Sequence, residues 1–297
     1  MIVITAPTGN IGRHLLTRLL ESEPGTGEEL RVIARDPARL TQEVRERVDV
    51  VTGSHGDPEV LDRAFAGADA VFWLVPPDAS LTPHDGFSGF TLPAVRAFAT
   101  HGVRHVVGVS ALGRGTPLAD EAGLVTASLK MDDLIAGSGV AYRALANPSF
   151  FENLLEEVES IRDKGVFVDV VEPDRKGPLV SVADIAAVAA GLLVNRSWTG
   201  VDSVPVLGPQ DLSPNDVARI MTEQLGRPVR YERQPFDELY TTLIGYGLDD
   251  TFVQGIVDMK RAKDAGLDAG VTRTRATASP TSFEQWCARV LKPAVLG

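Results

Sequence analysis

A single cysteine, Cys287, stands in a chain of 297 residues, which rules out a disulfide framework and a thiolate metal centre. The five histidines (His14, His55, His84, His101 and His105) show no ligand spacing of the HExxH kind, so no metal site is expected. Positive charge is scarce. Lys and Arg total 29 against 40 Asp and Glu, a net charge of −11. That balance favours solubility and argues against a broad nucleic-acid-binding face, while leaving room for a local basic patch. Long apolar runs are also missing, since none approaches the roughly 20 residues needed to span a bilayer. Met1 leads straight into an apolar run, and no signal peptide is expected. These absences describe a cytoplasmic globular protein. Its 44% hydrophobic and 23% charged residues suffice for one large core, or for one core with a small appended lobe.

What is present is rhythm. Short apolar runs predict strands at 2–5, 30–34, 48–51, 70–75, 105–109 and 141–145. Ile11, Leu15, Leu16 and Leu19 recur at helical spacing, and further helices are expected over 58–65, 92–99 and 127–136. Pro24, Gly25 and Gly27 mark a turn over 21–29. Strands alternating with helices in this way indicate parallel βαβ units, hence an α/β, Rossmann-like, doubly wound parallel sheet. After residue 150 the pattern loosens. Helices are expected over 184–193 and 213–225, the latter opened by Ser213-Pro214. A broken helical stretch follows over 236–265, interrupted by Gly245 and Gly247 and carrying exposed-type aromatics at Phe236, Tyr240, Tyr246 and Phe252. The division expected is a coenzyme-binding core over 1–150. Residues 151–297 then supply a small, mostly helical substrate lobe and the last strands, with no linker between autonomous domains. Glu152, Glu156, Glu157 and Glu159 read as a solvated helix face, and Arg273 and Arg275 as surface residues.

The first strand runs into Ala6-Pro7-Thr8-Gly9-Asn10-Ile11-Gly12 and then a helix, the layout of the first βα turn of a dinucleotide-binding unit. A Cβ at Gly9 would collide with a diphosphate, and Gly12 lets the helix pack closely on the strand. The free N–H groups and positive dipole end of the helix then face the phosphates. Thr8, Gly9, Asn10, Ile11 and Gly12 are therefore the candidate diphosphate residues. The usual first glycine is replaced by Ala6. The second strand selects the coenzyme. Where an NAD site carries a carboxylate for the ribose, this chain has Arg35, followed by Asp36-Pro37. A guanidinium pairs bidentately with a 2′-phosphate, and Arg13 adds a second positive charge, so NADP(H) is expected. Trp73, Val75 and Pro76, at the end of the fourth strand, are expected to border the same cleft, because ligands lie outside the carboxyl ends of such strands.

Nearly the whole chain resembles the NmrA-like group of atypical short-chain dehydrogenase/reductases. The resemblance is carried by Thr8-Gly9-Asn10-Ile11-Gly12, Ile33-Ala34-Arg35-Asp36-Pro37-Ala38-Arg39-Leu40 and Gly67-Ala68-Asp69-Ala70-Val71-Phe72. Further matches are Gly102-Val103-Arg104-His105-Val106-Val107, Ser110-Ala111-Leu112-Gly113, Phe150-Phe151-Glu152-Asn153 and Leu225-Gly226-Arg227-Pro228-Val229. It implies a Rossmann-type NADP(H) core with a C-terminal substrate lobe, in a group of quinone or ketone reductases and non-catalytic redox sensors. It also implies that Ser110 and the segment Asn147, Pro148 and Ser149 border the nicotinamide. Ser54 and the pair Ala146-Asn147 depart from the family pattern, the latter where an Arg-Pro pair is usual.

The superfamily's proton donor is missing. A Tyr-x-x-x-Lys pair puts both side chains on one helix face, where the lysine lowers the tyrosine pKa. None of the four tyrosines has lysine four residues on; Tyr142, Tyr231, Tyr240 and Tyr246 are followed there by Ala146, Pro235, Ile244 and Asp250. The resemblance puts the pair at Leu124 and Ser128, and Lys130 is off register. Ser110 is left as the candidate catalytic residue, able to donate a hydrogen bond to a carbonyl. Two functions remain open. One is an NADPH-dependent ketone or quinone reductase for a bulky aromatic, polyketide-like substrate that supplies its own hydrogen bond, with Trp73, Phe150, Tyr240 and Tyr246 as substrate candidates. The other is an NADP(H)-binding sensor without turnover.

Overall fold

The computed structural model describes the backbone of residues 1–297 and the side chains of all but residues 22–26. The turn expected over 21–29 is shorter than the sequence suggests: α1 runs on through Pro24 and Gly25 to Thr26, and only residues 27–29 separate it from the second strand. The chain divides into two compact units. The first comprises Met1–Ser110, Ala127–Ala146 and Ile185–Val204, and the second Ala111–Thr126, Asn147–Asp184 and Pro205–Gly297. A single cut at residue 150 divides the chain differently, because segments on either side of that point belong to both units.

In the first unit, strands β1 (Ile2–Thr5), β2 (Leu30–Ala34), β3 (Asp49–Thr52), β4 (Ala70–Trp73), β5 (His105–Ala111) and β6 (Ala141–Asn147) alternate with helices. These are α1 (Asn10–Thr26), α2 (Gln42–Arg47), α3 (Pro58–Phe65), α4 (Phe90–His101) and α5 (Leu124–Ala136). The second unit then contributes β7 (Ser149–Phe150), α6 (Val158–Lys164), β8 (Val166–Asp169) and β9 (Gly177–Val180). Helix α7 (Val182–Val194) leads back to β10 (Val201–Pro205), which joins the main sheet. That sheet has the order β10-β6-β5-β4-β1-β2-β3, so β1 lies between β2 and β4 and pairs in parallel with both. The chain winds outward from β1 in one direction, returns, and winds in the other. In sheets wound in this way ligands bind at that reversal, outside the carboxyl ends of the strands, which here are those of β1 and β4. Every residue of β1 and β4 is fully buried, as expected of central strands covered on both faces by helices. Where the ladder stops, Thr5 takes over. Its buried hydroxyl donates to the Phe72 carbonyl at 3.0 Å and accepts from the Leu74 amide at 2.9 Å, tying the two strand ends together.

The remaining elements of the second unit are β11 (Asp211–Leu212), α8 (Pro214–Leu225), β12 (Arg230–Arg233), α9 (Phe236–Gly245), α10 (Asp250–Asp264), α11 (Phe283–Trp286) and α12 (Lys292–Leu296). Ser213 opens α8 with a capping box to Asp216, followed by Pro214, as the sequence indicates. The expected break in the 236–265 stretch falls between α9 and α10, where Gly247 takes φ +79° and Asp249 caps α10 by accepting from the Thr251 amide at 2.9 Å. Phe252 is not an exposed aromatic: it is on the buried face of α10. Arg273 is not free on the surface either, since it donates to the Gly208 carbonyl at 2.7 Å and pairs with Asp211.

Glu152 differs most from expectation. Glu156, Glu157 and Glu159 do not share its setting, because Glu152 is only 7% exposed. Its carboxylate accepts from the Val182 amide at 3.0 Å, the Trp286 indole at 2.9 Å and the Ser181 hydroxyl at 3.3 Å. Burial raises its pKa above the ordinary glutamate value. The period-3.6 pattern of acidic residues read as a wet face because the sequence does not show that this stretch is a 3-10 turn, Phe151–Glu157, before α6 begins.

Candidate coenzyme site

The loop after β1 has the tight form its glycines require. Gly9 donates to the Ala6 carbonyl at 3.1 Å, and the Arg13 amide closes the first helical bond to Gly9 at 3.0 Å. The amides of Asn10, Ile11 and Gly12 thus belong to the first turn, where no intrahelical acceptor exists. A Cβ on Gly12 would lie 2.0 Å from the Ala6 oxygen, so only glycine lets α1 sit this close to the strand end. Ile11 points the other way; its side chain is buried at 4% exposure, leaving its backbone amide as the part available to a ligand. Thr8 is half-buried and Asn10 exposed. Ala6, at the place of the usual first glycine, has φ +48°. A left-handed conformation costs a non-glycine residue about 1–2 kcal/mol, against about 0.5–1 kcal/mol of extra chain entropy for glycine. Ala6→Gly is therefore expected to raise the melting temperature by about 1–3 °C, read by thermal unfolding, with NADPH affinity unchanged.

Thr5 lies opposite Ile33 in the β1–β2 register, so the loops leaving the two strands start side by side. Arg35 follows β2 and is exposed, and among the described residues no hydrogen bond or ion pair engages its guanidinium. Arg13, on the first turn of α1, is in the same condition. So is Arg39, which sequence reasoning did not single out although it follows Arg35 by one turn; it closes the 3-10 turn Pro37–Arg39. Asp36 is already engaged, accepting from the Ala38 amide at 3.0 Å as the cap of that turn. Three uncommitted guanidiniums and a capped carboxylate suit a 2′-phosphate better than a bare ribose.

The end of β4 is shaped differently from expectation. Trp73 is fully buried, with its indole N–H on Thr91 at 3.1 Å and its ring edge-on to His55, so it belongs to the core rather than to the crevice. Val75 is buried and Pro76 exposed, where the strand leaves the sheet. His55, on the β3–α3 loop, meets the Leu74 carbonyl through Nε2 at 3.0 Å. Desolvation pushes its pKa down to about 4, so at neutral pH the ring is uncharged and Nε2 carries a proton for that bond. The sequence offered no signal for this clamp beyond a histidine next to Ser54.

At the end of β5, Ser110 is 6% exposed and donates its hydroxyl proton to Asp132 on α5. The other oxygen of Asp132 accepts from Tyr142 at 2.6 Å. Tyr142 is fully buried, which removes it as a proton donor to any substrate. Leu124 and Ser128 are buried and Lys130 is exposed. Ser110 thus lies at the end of β5 with its proton directed to Asp132, not toward a carbonyl. Asn147, Pro148, Ser149 and Phe150 lie in the second unit. The Asn147 carbonyl accepts from the Leu112 amide at 3.0 Å, and Ser149 and Phe150 pair with Leu179 and Val180. Tyr240, half-buried, donates to Asp250, whereas Tyr246 is 74% exposed.

Residues 7–196 match the NAD(P)H-binding family. The chain belongs to it. Among its relatives, the (4-alkanoyl-5-oxo-2,5-dihydrofuran-3-yl)methyl phosphate reductase of Streptomyces griseus is 33% identical over 245 residues, 82% of this chain and 80% of that one. The NAD(P)H azoreductase of Xenophilus azovorans is 27% identical over 274 residues, covering 92% and 91% of the two chains. In fold, the chain is similar to the NADPH-dependent quinone oxidoreductase of Escherichia coli solved with NADPH, at TM-score 0.79 and 21% identity over 96% of this chain and 98% of that one. It is therefore an NAD(P)H-binding protein with a Rossmann-like fold shared with that quinone oxidoreductase. The loop geometry fits a dinucleotide: a glycine at position 12 that admits no Cβ, first-turn amides, and three arginines with no hydrogen bond or ion pair among the described residues. Among the described residues no helix is long and apolar enough to cross a membrane, and no cluster of side chains is able to hold a metal ion.

Proposed function

We propose that this chain reduces a quinone, or an aromatic ketone flanked by a hydroxyl, with NADPH and without a protein proton donor. One observation carries the reading: the Ser110 proton is committed to Asp132, while the positions of the superfamily's tyrosine and lysine hold the buried Leu124 and Ser128. When bound, the reduced nicotinamide supplies a hydride. A simple ketone would then develop a localised alkoxide with no acid beside it. A quinone spreads the charge over its ring, and a flanking hydroxyl hydrogen-bonds to the developing oxyanion, so neither needs a donor from the protein. The relatives named for a quinone, an azo compound and an oxo-dihydrofuran are consistent with unsaturated acceptors of this kind.

The chain's own residues then bind and orient. The amides of Asn10, Ile11 and Gly12 and the Thr8 hydroxyl hold the diphosphate, which passes over Gly9. Arg35, with Arg13 and Arg39, holds the 2′-phosphate. In the first unit, Val75, Pro76 and Ser110 border the nicotinamide. In the second unit, Phe150, Tyr240 and Tyr246 offer apolar faces to a flat ring. The contribution to rate is positioning and exclusion of water. NADPH oxidation is followed at fixed enzyme against quinones, hydroxyl-flanked aromatic ketones and aliphatic ketones. Turnover is expected with the first two and not with the third. Tight NADPH binding without turnover of any acceptor would replace this reading with that of a redox sensor.

A further inference from the structure

We infer that His55 is a positioning residue for the coenzyme: by holding the Leu74 carbonyl it fixes the course of the chain where β4 gives way to Val75 and Pro76. This rests on the proposed reading in one respect, that this segment borders the nicotinamide.

β4 stops at Trp73, so the Leu74 peptide groups lie beyond the ladder. Two side chains take over from the strands. The Thr5 hydroxyl accepts from the Leu74 amide at 2.9 Å, and His55 Nε2 meets the Leu74 carbonyl at 3.0 Å. A peptide bond is planar, so holding that carbonyl sets the plane of the link to Val75. Pro76 and Pro77 follow, and their rings fix φ at about −65°. With Leu74 held at both ends and the next two rings restricting rotation, the chain has little freedom in how it leaves β4.

His55 is itself held. Its ring meets Trp73 and Phe90 edge-on, with centroids 5.3 Å and 4.8 Å away. A Cβ on Gly56 would lie 2.6 Å from the Phe90 ring, so the glycine lets the β3–α3 loop come this close to the start of α4. Rings on two sides restrict the imidazole and keep Nε2 directed at Leu74. Burial, offset in part by the Leu74 bond and reinforced by the charge of Arg35, leaves the ring neutral. Asp78, just beyond Pro77, is held below the ordinary carboxylate range by Ser80 and more weakly by the same guanidinium. The residues leaving β2, β3 and β4 thus converge, and the candidate for the 2′-phosphate stands among them. A phenylalanine would fill the space of the His55 ring without burying a polar group. What the histidine adds is a donor for one carbonyl.

Glutamine and methionine separate the donor from the ring. Both are unbranched and lose the aromatic contacts alike, but only glutamine carries an N–H near the place of Nε2. NADPH and NADH are each titrated into the full chain by calorimetry, well below the melting temperature of each variant. His55→Gln should bind both within about threefold of wild type. His55→Met should bind both about tenfold more weakly, the worth of one hydrogen bond. The ratio of NADPH to NADH affinity should stay as in the wild type, because no contact to the 2′-phosphate is removed. His55→Phe, which keeps a ring and loses the donor, should match His55→Met and stands in for it if the latter does not fold. Equal affinities in His55→Gln and His55→Met, or wild-type affinity in His55→Phe, would reduce the ring to packing and overturn the inference. The Leu74 and Val75 amide signals of the wild type, followed by NMR as NADP⁺ is added, should shift. If they do not, the placement of this segment beside the nicotinamide fails together with the inference. If they shift while the variants bind alike, the inference alone fails.

Discussion

Arg35→Asp is expected to weaken NADPH by about 100-fold or more while changing NADH by less than about threefold. The guanidinium is exposed, lies at the end of β2 beside the diphosphate loop, and has no hydrogen bond or ion pair among the described residues. It therefore meets a 2′-phosphate without first breaking an ion pair. Charge-assisted hydrogen bonds to such a group contribute roughly 1.5–3 kcal/mol, and an aspartate adds repulsion of the dianion to that loss. NADH has no phosphate at this position and loses little. Titration calorimetry with both coenzymes reads the ratio. Equal losses for the two would mean that Arg35 acts on the fold of the loop, not on the phosphate. Arg39→Ala should move the same ratio in the same direction by less, since the remaining arginines still face the phosphate.

The second large effect is on stability. Glu152→Ala removes the acceptor for three donors at once: the Val182 amide, the Ser181 hydroxyl and the Trp286 indole. Each donor left unsatisfied in the interior costs roughly 1–3 kcal/mol, and water entering the space recovers part of it, so a loss of about 3–4 kcal/mol is expected. Trp286 also packs between Phe151 and Phe283, so the loss loosens the aromatic centre of the second unit. Glu152→Gln keeps the volume and one acceptor oxygen and should cost less. Its dependence on pH gives a separate check. Burial raises the folded pKa of Glu152 above its ordinary value of 4.5, so the native state holds a proton that the unfolded chain has released. Over that window stability falls as pH rises, and the fall ends once the folded carboxyl has also ionised. Glutamine does not titrate. The stability gap between wild type and Glu152→Gln should therefore narrow as pH is raised through the window, measured by thermal melts on either side of it. A gap independent of pH would show that the carboxyl titrates no differently in the fold.

Strands β1, β2 and β4 and helix α3 were legible in the sequence because local pattern and packing agree there. A continuous apolar run can be buried only on both faces of a sheet, and Asp57-Pro58 both signals and caps the helix. The glycine loop was legible for a related reason: Gly12 is demanded by the backbone itself, since a Cβ there would lie 2.0 Å from the Ala6 oxygen whatever else surrounds it. Trp73, Ser110 and Glu152 were different. An aromatic residue at a strand end can face a ligand or a helix, and Thr91 on α4, eighteen residues on, decided which. A serine beside a coenzyme can donate or accept, and Asp132 on a separate helix decided that. A glutamate on a helical stretch is normally wet, and Trp286, far along the chain, made it dry.

By itself the sequence determined the sheet's central strands, the glycine loop, the arginine that follows β2 and the lack of a Tyr–Lys pair, because each depends on residues within one turn or one strand of each other. Only the tertiary structure decided where the polar protons point. A hydrogen bond is directional and its partner is chosen by distance in space, so the state of Ser110, His55 and Glu152 exists only once helices and strands remote in the chain have packed around them.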